Sequence, residues 1–106
     1  MESMTSYEMI QIEGVIFSST PQAGALIVFC PKKFKGRNAY VALNREIRGN
    51  RVVVQIMERR VNGIKRYVAV FPSLPTGTHR VSIPGTNGVA RSFSVFPDSI
   101  SEVDLT

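Results

Sequence analysis

The fold is decided by residues 51–72, which read RVVVQIMERRVNGIKRYVAVFP. Two runs rich in valine, isoleucine and aromatic residues flank the dipeptide Asn62-Gly63. Both central residues of a type I′ turn need a positive φ, and Asn-Gly is the pair that accepts this best. The stretch therefore predicts a long β-hairpin that turns at Asn62 and Gly63.

A two-residue turn also determines which residues of the hairpin face each other. Counting outward from the turn predicts the pairs Val61/Ile64, Arg60/Lys65, Arg59/Arg66, Glu58/Tyr67 and Met57/Val68. Side chains alternate across a sheet, so each face carries a defined set. We expect one face to be core: Val52, Val54, Ile56, Tyr67, Ala69 and Phe71. We interpret the apolar residues of the other face as a second packing surface or an oligomer interface: Met57, Val68 and Val70.

The rest of the chain consists of short β-prone runs separated by turn-forming residues, and no stretch keeps a helical period. This pattern predicts an all-β fold, a single antiparallel β-sandwich of seven to eight strands over residues 1–106. Residues 1–8 are expected to form a flexible N-terminal tail. The predicted strands are 9–17, 24–30, 39–43, 51–61, 64–71, 78–83, 90–96 and 100–105. The strand at 24–30 is apolar on both faces, so we expect it to be central and covered twice.

The composition excludes several kinds of site. The chain has one cysteine and one histidine, so it forms no intrachain disulfide, and most metal sites and histidine-based catalytic schemes lack ligands or partners. Cys30 and His79 are the only candidates for a nucleophile and a base, and nothing in the sequence brings them together. We therefore expect no catalytic residues, no metal and no cofactor.

The first residues predict a cytoplasmic protein. They are acidic and polar, and the first basic residue is Lys32, which is unlike a secretory signal. The longest apolar run, Ala23 to Cys30, has eight residues and is too short to cross a bilayer. The unpaired Cys30 agrees with a reducing compartment.

Positive charge is concentrated in the middle of the chain. The formal net charge is +5, but residues 32–66 contain eleven basic and two acidic residues. A concentrated basic surface attracts phosphates, acidic proteins or anionic lipid headgroups. The alternative is that lysine and arginine only protect exposed strand edges from aggregation.

The hairpin is the first basic element. Its predicted register places like charges opposite each other at Arg59/Arg66 and at Arg60/Lys65, which costs about 0.2–1 kcal/mol per pair. Either an anion bridges these side chains or they extend separately into water, where salt screens their repulsion.

The second basic element is the stretch PKKFKGR at residues 31–37, with cations at Lys32, Lys33, Lys35 and Arg37. Phe34 stacks on a nucleic-acid base while the lysines hold phosphates, or it packs into the sandwich beneath a basic loop. The sequence favours the loop, because the aromatic motifs of sheet-based RNA binders are missing.

Residues 71–83, FPSLPTGTHRVSI, resemble the F-x-x-L-P-x-G-x-Y-x-V-x-V stretch of prealbumin-like β-sandwich modules, the carboxypeptidase-regulatory-like group. Small bacterial proteins share a segment similar to Tyr67–Gly77 and also end in a strand like residues 101–105, so the resemblance covers about residues 50–105. It implies an immunoglobulin-like or prealbumin-like sandwich in which a strand ends in phenylalanine and a Leu-Pro-x-Gly turn crosses between the sheets. His79 stands where these modules usually have tyrosine, and its ring can tie the corner to nearby backbone, with a pH dependence that tyrosine lacks. The resemblance also implies an accessory, adhesive or assembly function rather than catalysis.

These observations lead to two functional hypotheses. The first is a non-enzymatic accessory module, acting as a monomer or a homo-oligomer, whose basic hairpin binds an acidic or polyanionic partner. The second is a small nucleic-acid-binding protein that uses Lys32 to Arg37 and the hairpin at residues 59–66 on phosphates. Both use the same cations: Lys32, Lys33, Lys35, Arg37, Arg59, Arg60, Lys65 and Arg66.

Overall fold

The computed structural model of the chain describes residues 2–5, 10–17, 21–43 and 51–106. Within these residues it has nine β-strands and one short 3₁₀ turn, Lys32–Phe34. The strands are β1 (Glu2–Thr5), β2 (Ala23–Cys30), β3 (Asn38–Ala42), β4 (Arg51–Gln55), β5 (Met57–Val61), β6 (Ile64–Pro75), β7 (Gly77–Ser82), β8 (Ala90–Val95) and β9 (Ile100–Asp104). This part of the chain contains no helix with the length and apolar character needed to cross a membrane.

The strands form two sheets, which confirms the predicted all-β sandwich. One sheet has the order β1-β9-β2-β6-β5 and the other has the order β4-β3-β7-β8. Neighbouring strands are antiparallel except for β2 and β9, which run parallel. The strand at 51–61 divides at Ile56 into β4 and β5, which belong to different sheets.

The hairpin of β5 and β6 has the predicted turn and register. Asn62 has a φ of 49° and Gly63 a φ of 81°, as a type I′ turn requires. Met57 pairs with Val68, Arg59 with Arg66, and Arg60 with Lys65. The like-charged pairs inferred from the sequence are therefore present in the fold.

The main core lies between the two sheets, and its largest fully buried side chains are Phe71 and Phe93. The hairpin face that we expected to be core contributes to it. Its members are Val52, Val54, Ile56, Tyr67, Ala69 and Phe71.

A second apolar cluster lies on the outer face of the five-stranded sheet, under residues 10–17. Val68 and Val70 are buried there, packed in one cluster with Ile10 and Ile12. The predicted interface of Met57, Val68 and Val70 is therefore covered by the chain itself except at Met57, which is 43% exposed. Strand β2 is covered on both faces, as predicted.

Residues 10–17 do not form the expected strand. Within the described residues, their β-pairing is limited to one isolated bridge between Ile12 and Val61. Gly14 has a φ of 79°. This left-handed residue ends the alternation of side chains. Beyond this glycine Ile16 is 88% exposed, whereas Ile10 and Ile12 before it are buried.

Residues 2–5 of the expected N-terminal tail belong to a sheet, and residues 6–8 lie outside the described residues. Residues 2–5 form β1, which pairs antiparallel with β9 from Glu2/Val103 to Thr5/Ile100. Free edges of sheets attract pairing strands, and β9 provides one for this short segment.

The corner that carries the family resemblance crosses between the sheets. Strand β6 continues past Phe71 to Pro75, and β7 begins at Gly77 in the opposite sheet. Gly77 has a φ of 129°, which favours glycine. Nε2 of the buried His79 donates a hydrogen bond to the carbonyl oxygen of Pro75 at 2.7 Å. The imidazole thus ties the corner to the backbone as the resemblance implied.

Candidate functional site

Three segments lie toward the same end of the sandwich. Because Cys30 pairs with Tyr67, β2 ends where the hairpin begins to project beyond its sheet. The loop at residues 31–37 then crosses to the other sheet, and two backbone hydrogen bonds hold it against Ile56. The N–H of Gly36 donates to the carbonyl oxygen of Ile56 at 2.9 Å, and the N–H of Ile56 donates to the carbonyl oxygen of Arg37 at 2.8 Å. The loop at residues 84–89 lies beside Arg37. We call residues 31–37, 59–66 and 84–89 the basic end.

The three segments of the basic end concentrate positive charge, and two acidic residues lie beside them: Glu13 on the backbone of Arg60 and Asp104 near Arg66. The segments themselves contain eight lysines and arginines and no aspartate or glutamate. The eight are the predicted ones: Lys32, Lys33, Lys35, Arg37, Arg59, Arg60, Lys65 and Arg66. Topology thus brings the two basic elements of the sequence to one end of the molecule.

Arg59 and Arg66 are held by the chain itself. Nη1 of Arg59 donates to the carbonyl oxygen of Glu13 at 3.0 Å, which also anchors residues 10–17. The guanidinium carbon of Arg66 lies 4.3 Å from the centre of the Phe29 ring. Hydrogen bonds from Thr106 lower the pKa of the Asp104 carboxyl, and the charge of Arg66 lowers it further. Because the fold itself engages both arginines, this pair does not require an external anion.

Six other cations of the basic end remain exposed to solvent: Lys32, Lys33, Lys35, Arg37, Arg60 and Lys65. Within the described ranges, their charged groups form no ion pair. The pair Arg60/Lys65 lies on the opposite face of the hairpin from Arg59/Arg66. These six side chains are the part of the predicted site that is accessible to a partner.

The aromatic residue of the basic loop is not accessible. Phe34 is 8% exposed and belongs to the main core, while Nζ of Lys33 lies 5.6 Å from the centre of its ring. The interpretation of residues 31–37 as a basic loop with Phe34 packed into the sandwich is confirmed. Large apolar side chains are nevertheless exposed near the cations, namely Ile64 at 65% and Met57 at 43%.

A cleft at the basic end was not foreseen from the sequence. It has a volume of about 260 Å³ and lies between the loop at residues 31–37 and the loop at residues 84–89. The sequence Gly-Thr-Asn-Gly at residues 85–88 is typical of a turn, and nothing in it shows that Arg37 lies beside this loop. The strand order that joins the two loops is a property of the whole fold.

The two candidate catalytic side chains are separate in the structure. Cys30 is buried, its thiol lies 3.7 Å from the carbonyl oxygen of Val28, and burial, with the charge of Asp104, raises its pKa to about 12. His79 is bonded to Pro75 and packs edge-on against Phe93, with 5.9 Å between ring centres. A thiol with such a high pKa is a poor nucleophile at neutral pH. Across the described residues, no group of three or more His, Cys, Asp or Glu is arranged to hold a metal ion.

Comparison of the chain with family models, curated proteins and solved structures gave no match. The prealbumin-like resemblance therefore stays a prediction, and function has to be argued from the geometry.

Proposed function

We propose that the protein is a non-enzymatic interaction module that binds an acidic protein partner through its basic end. The observation that carries this proposal is the set of six exposed cations on segments that contain no acidic residue. Such a field attracts acidic partners and speeds their association. The buried thiol and the histidine engaged at the corner support a role without catalysis.

The side chains beside the cations favour protein over nucleic acid. Ile64, exposed at the hairpin tip and next to Lys65 in the chain, offers apolar contact beside charge, which is common at protein interfaces. Single-stranded nucleic acid is bound by exposed aromatic rings on which its bases stack. The one aromatic residue of the basic end, Phe34, is buried.

The partner is proposed to be a different protein in the cytoplasm. Self-association through Met57, Val68 and Val70 loses its support because residues 10–17 cover two of these three side chains. A cytoplasmic location is supported by the single, unpaired Cys30.

The test compares binding of a fluorescent peptide rich in glutamate and leucine with binding of DNA, single-stranded and duplex, by fluorescence anisotropy at several salt concentrations. The double variant Arg60→Gln/Lys65→Gln should bind the peptide at least about tenfold more weakly. The control Arg51→Gln/Arg80→Gln removes the same charge from the four-stranded sheet and should bind like the wild type.

Ile64→Ser separates the two classes of partner, because it should weaken peptide binding and leave any DNA binding unchanged. Tighter and more salt-dependent binding of DNA than of peptide would establish the nucleic-acid alternative. Equal losses in the hairpin variant and the control would show that the basic end has no specific role.

A further inference from the structure

The cleft at the basic end has a base packed into the core and two cationic side chains in its lining. Phe34 lines it and is at the same time part of the main core, so the cleft is supported by packed residues. Lys33 and Arg37 also line it, and none of the lining residues carries a carboxylate. Neither cation forms an ion pair with any residue that the structure describes.

The position of Arg37 depends on a glycine. A Cβ atom added at Gly85 would lie 2.6 Å from Nη1 of Arg37, so the guanidinium lies directly against the backbone of the second loop. Gly85 also has a φ of 82°, which side chains rarely adopt. The glycine thus permits both the turn and the close approach of the arginine.

The second loop contributes unused hydrogen-bond donors. The N–H groups of Gly85, Thr86 and Asn87 donate to no oxygen atom within the described ranges. The hydroxyl of Thr86 is itself bonded to the carbonyl oxygen of Ile83, which fixes the loop. Consecutive free N–H groups in turns with positive φ form concave sites that bind anions.

These features match a phosphoryl group. A phosphomonoester carries about −1.5 to −2 charges at neutral pH and three strong acceptor oxygens, which can use two cations and several N–H donors together. A carboxylate has a single charge and two oxygens, so it would leave more of these donors without a partner. We propose that the cleft between residues 31–37 and 84–89 binds the phosphoryl group of a small phosphomonoester or of free phosphate. This refines the proposed function, because the cleft is part of the same basic end.

The experiment is a titration of ¹⁵N-labelled protein with inorganic phosphate, O-phosphoserine and acetate at constant ionic strength, followed by amide chemical shifts. We expect saturable shifts centred on residues 85–88 with both phosphate compounds, and at least about tenfold weaker binding of acetate. Tighter binding of O-phosphoserine than of phosphate would identify the phosphomonoester as the source of the group. Shifts that do not saturate, or that spread over all cations, would overturn the site.

Variants locate the site and separate it from the proposed function. Lys33→Gln and Arg37→Gln should each weaken phosphate binding about tenfold, and Arg80→Gln, which loses the same charge elsewhere, should not. Arg37→Lys keeps the charge but loses the planar guanidinium, so it should also bind more weakly. Arg60→Gln/Lys65→Gln should lose the acidic peptide and keep phosphate binding. Equal phosphate binding by Arg37→Gln and Arg80→Gln would refute phosphate binding in the cleft. It would leave the proposed binding of an acidic peptide by the hairpin unaffected.

Discussion

His79 is the residue on which the corner between the sheets depends. It is 4% exposed and supplies the hydrogen bond to the carbonyl of Pro75 together with an edge contact on Phe93. A carbonyl accepts the bond, so Nε2 carries a proton. The histidine at this position therefore ties the corner to the backbone through a ring nitrogen.

We predict that His79→Leu destabilises the fold by about 0.5–1.5 kcal/mol, because the hydrogen bond from the ring to the carbonyl of Pro75 would be lost. His79→Tyr should restore part of this loss if the phenol hydroxyl reaches the same backbone. Urea denaturation of the three proteins measures the differences in the free energy of unfolding. A free energy for His79→Leu equal to that of the wild type would show that water satisfies Pro75 equally well.

Cys30 leads to a prediction about pH. Its thiol has a pKa of about 12 in the folded chain, raised mainly by burial, so the folded protein holds this proton more tightly than the unfolded chain. The contribution to stability is therefore complete below the usual thiol pKa and is lost as pH rises toward about 12. Cys30→Ala should show a shallower loss of stability than the wild type in this alkaline range, when both are compared by denaturation at each pH. Parallel pH profiles would contradict the raised pKa.

Residues 10–17 are the element that closes the outer face of the five-stranded sheet. One bridge, a few hydrogen bonds to the hairpin and two buried isoleucines hold them in place. The bond from Arg59 to the carbonyl of Glu13 adds a link between this covering segment and the hairpin. Arg59, which the sequence predicts as a partner-binding residue, thus stabilises the fold instead.

We predict that Ile12→Ala destabilises the protein by about 2–5 kcal/mol, because it removes a buried side chain from the outer cluster. Ile16→Ala is the matched control: it makes the same chemical change four residues along the segment, but at a side chain that is 88% exposed. Its free energy of unfolding should stay within about 0.5 kcal/mol of the wild type. Similar losses in both variants would mean that Ile12 is not packed as described.

In the molecule as a whole, local rules account for more of the fold than of the site. The turn at Asn62 and Gly63, the register of Arg59 with Arg66 and the double covering of β2 follow from backbone conformation and alternation, which act over a few residues. Strand 51–61 appears continuous in sequence, and its change of sheet at Ile56 depends on hydrogen bonds to Gly36 and Arg37, far away in the chain.

The candidate site divides in the same way. Its cations were all identified from the sequence, since charge is read directly from residue type. Which of them are accessible depends on long-range contacts, such as Arg59 with Glu13 and Arg66 with Phe29, which no local pattern reports. The contact between Gly85 and Arg37 cannot be predicted from local sequence either, because the two residues lie on different loops that only the strand order brings together.

The passage of one extended run from the four-stranded sheet to the five-stranded sheet at Ile56 has a mechanical consequence. Both backbone groups of this buried residue are bonded to the loop at residues 36–37, so the crossing point is clamped. A force on the hairpin is therefore transmitted to both sheets of the sandwich. The same two bonds couple any displacement of the hairpin to the loop that carries Lys32 to Arg37.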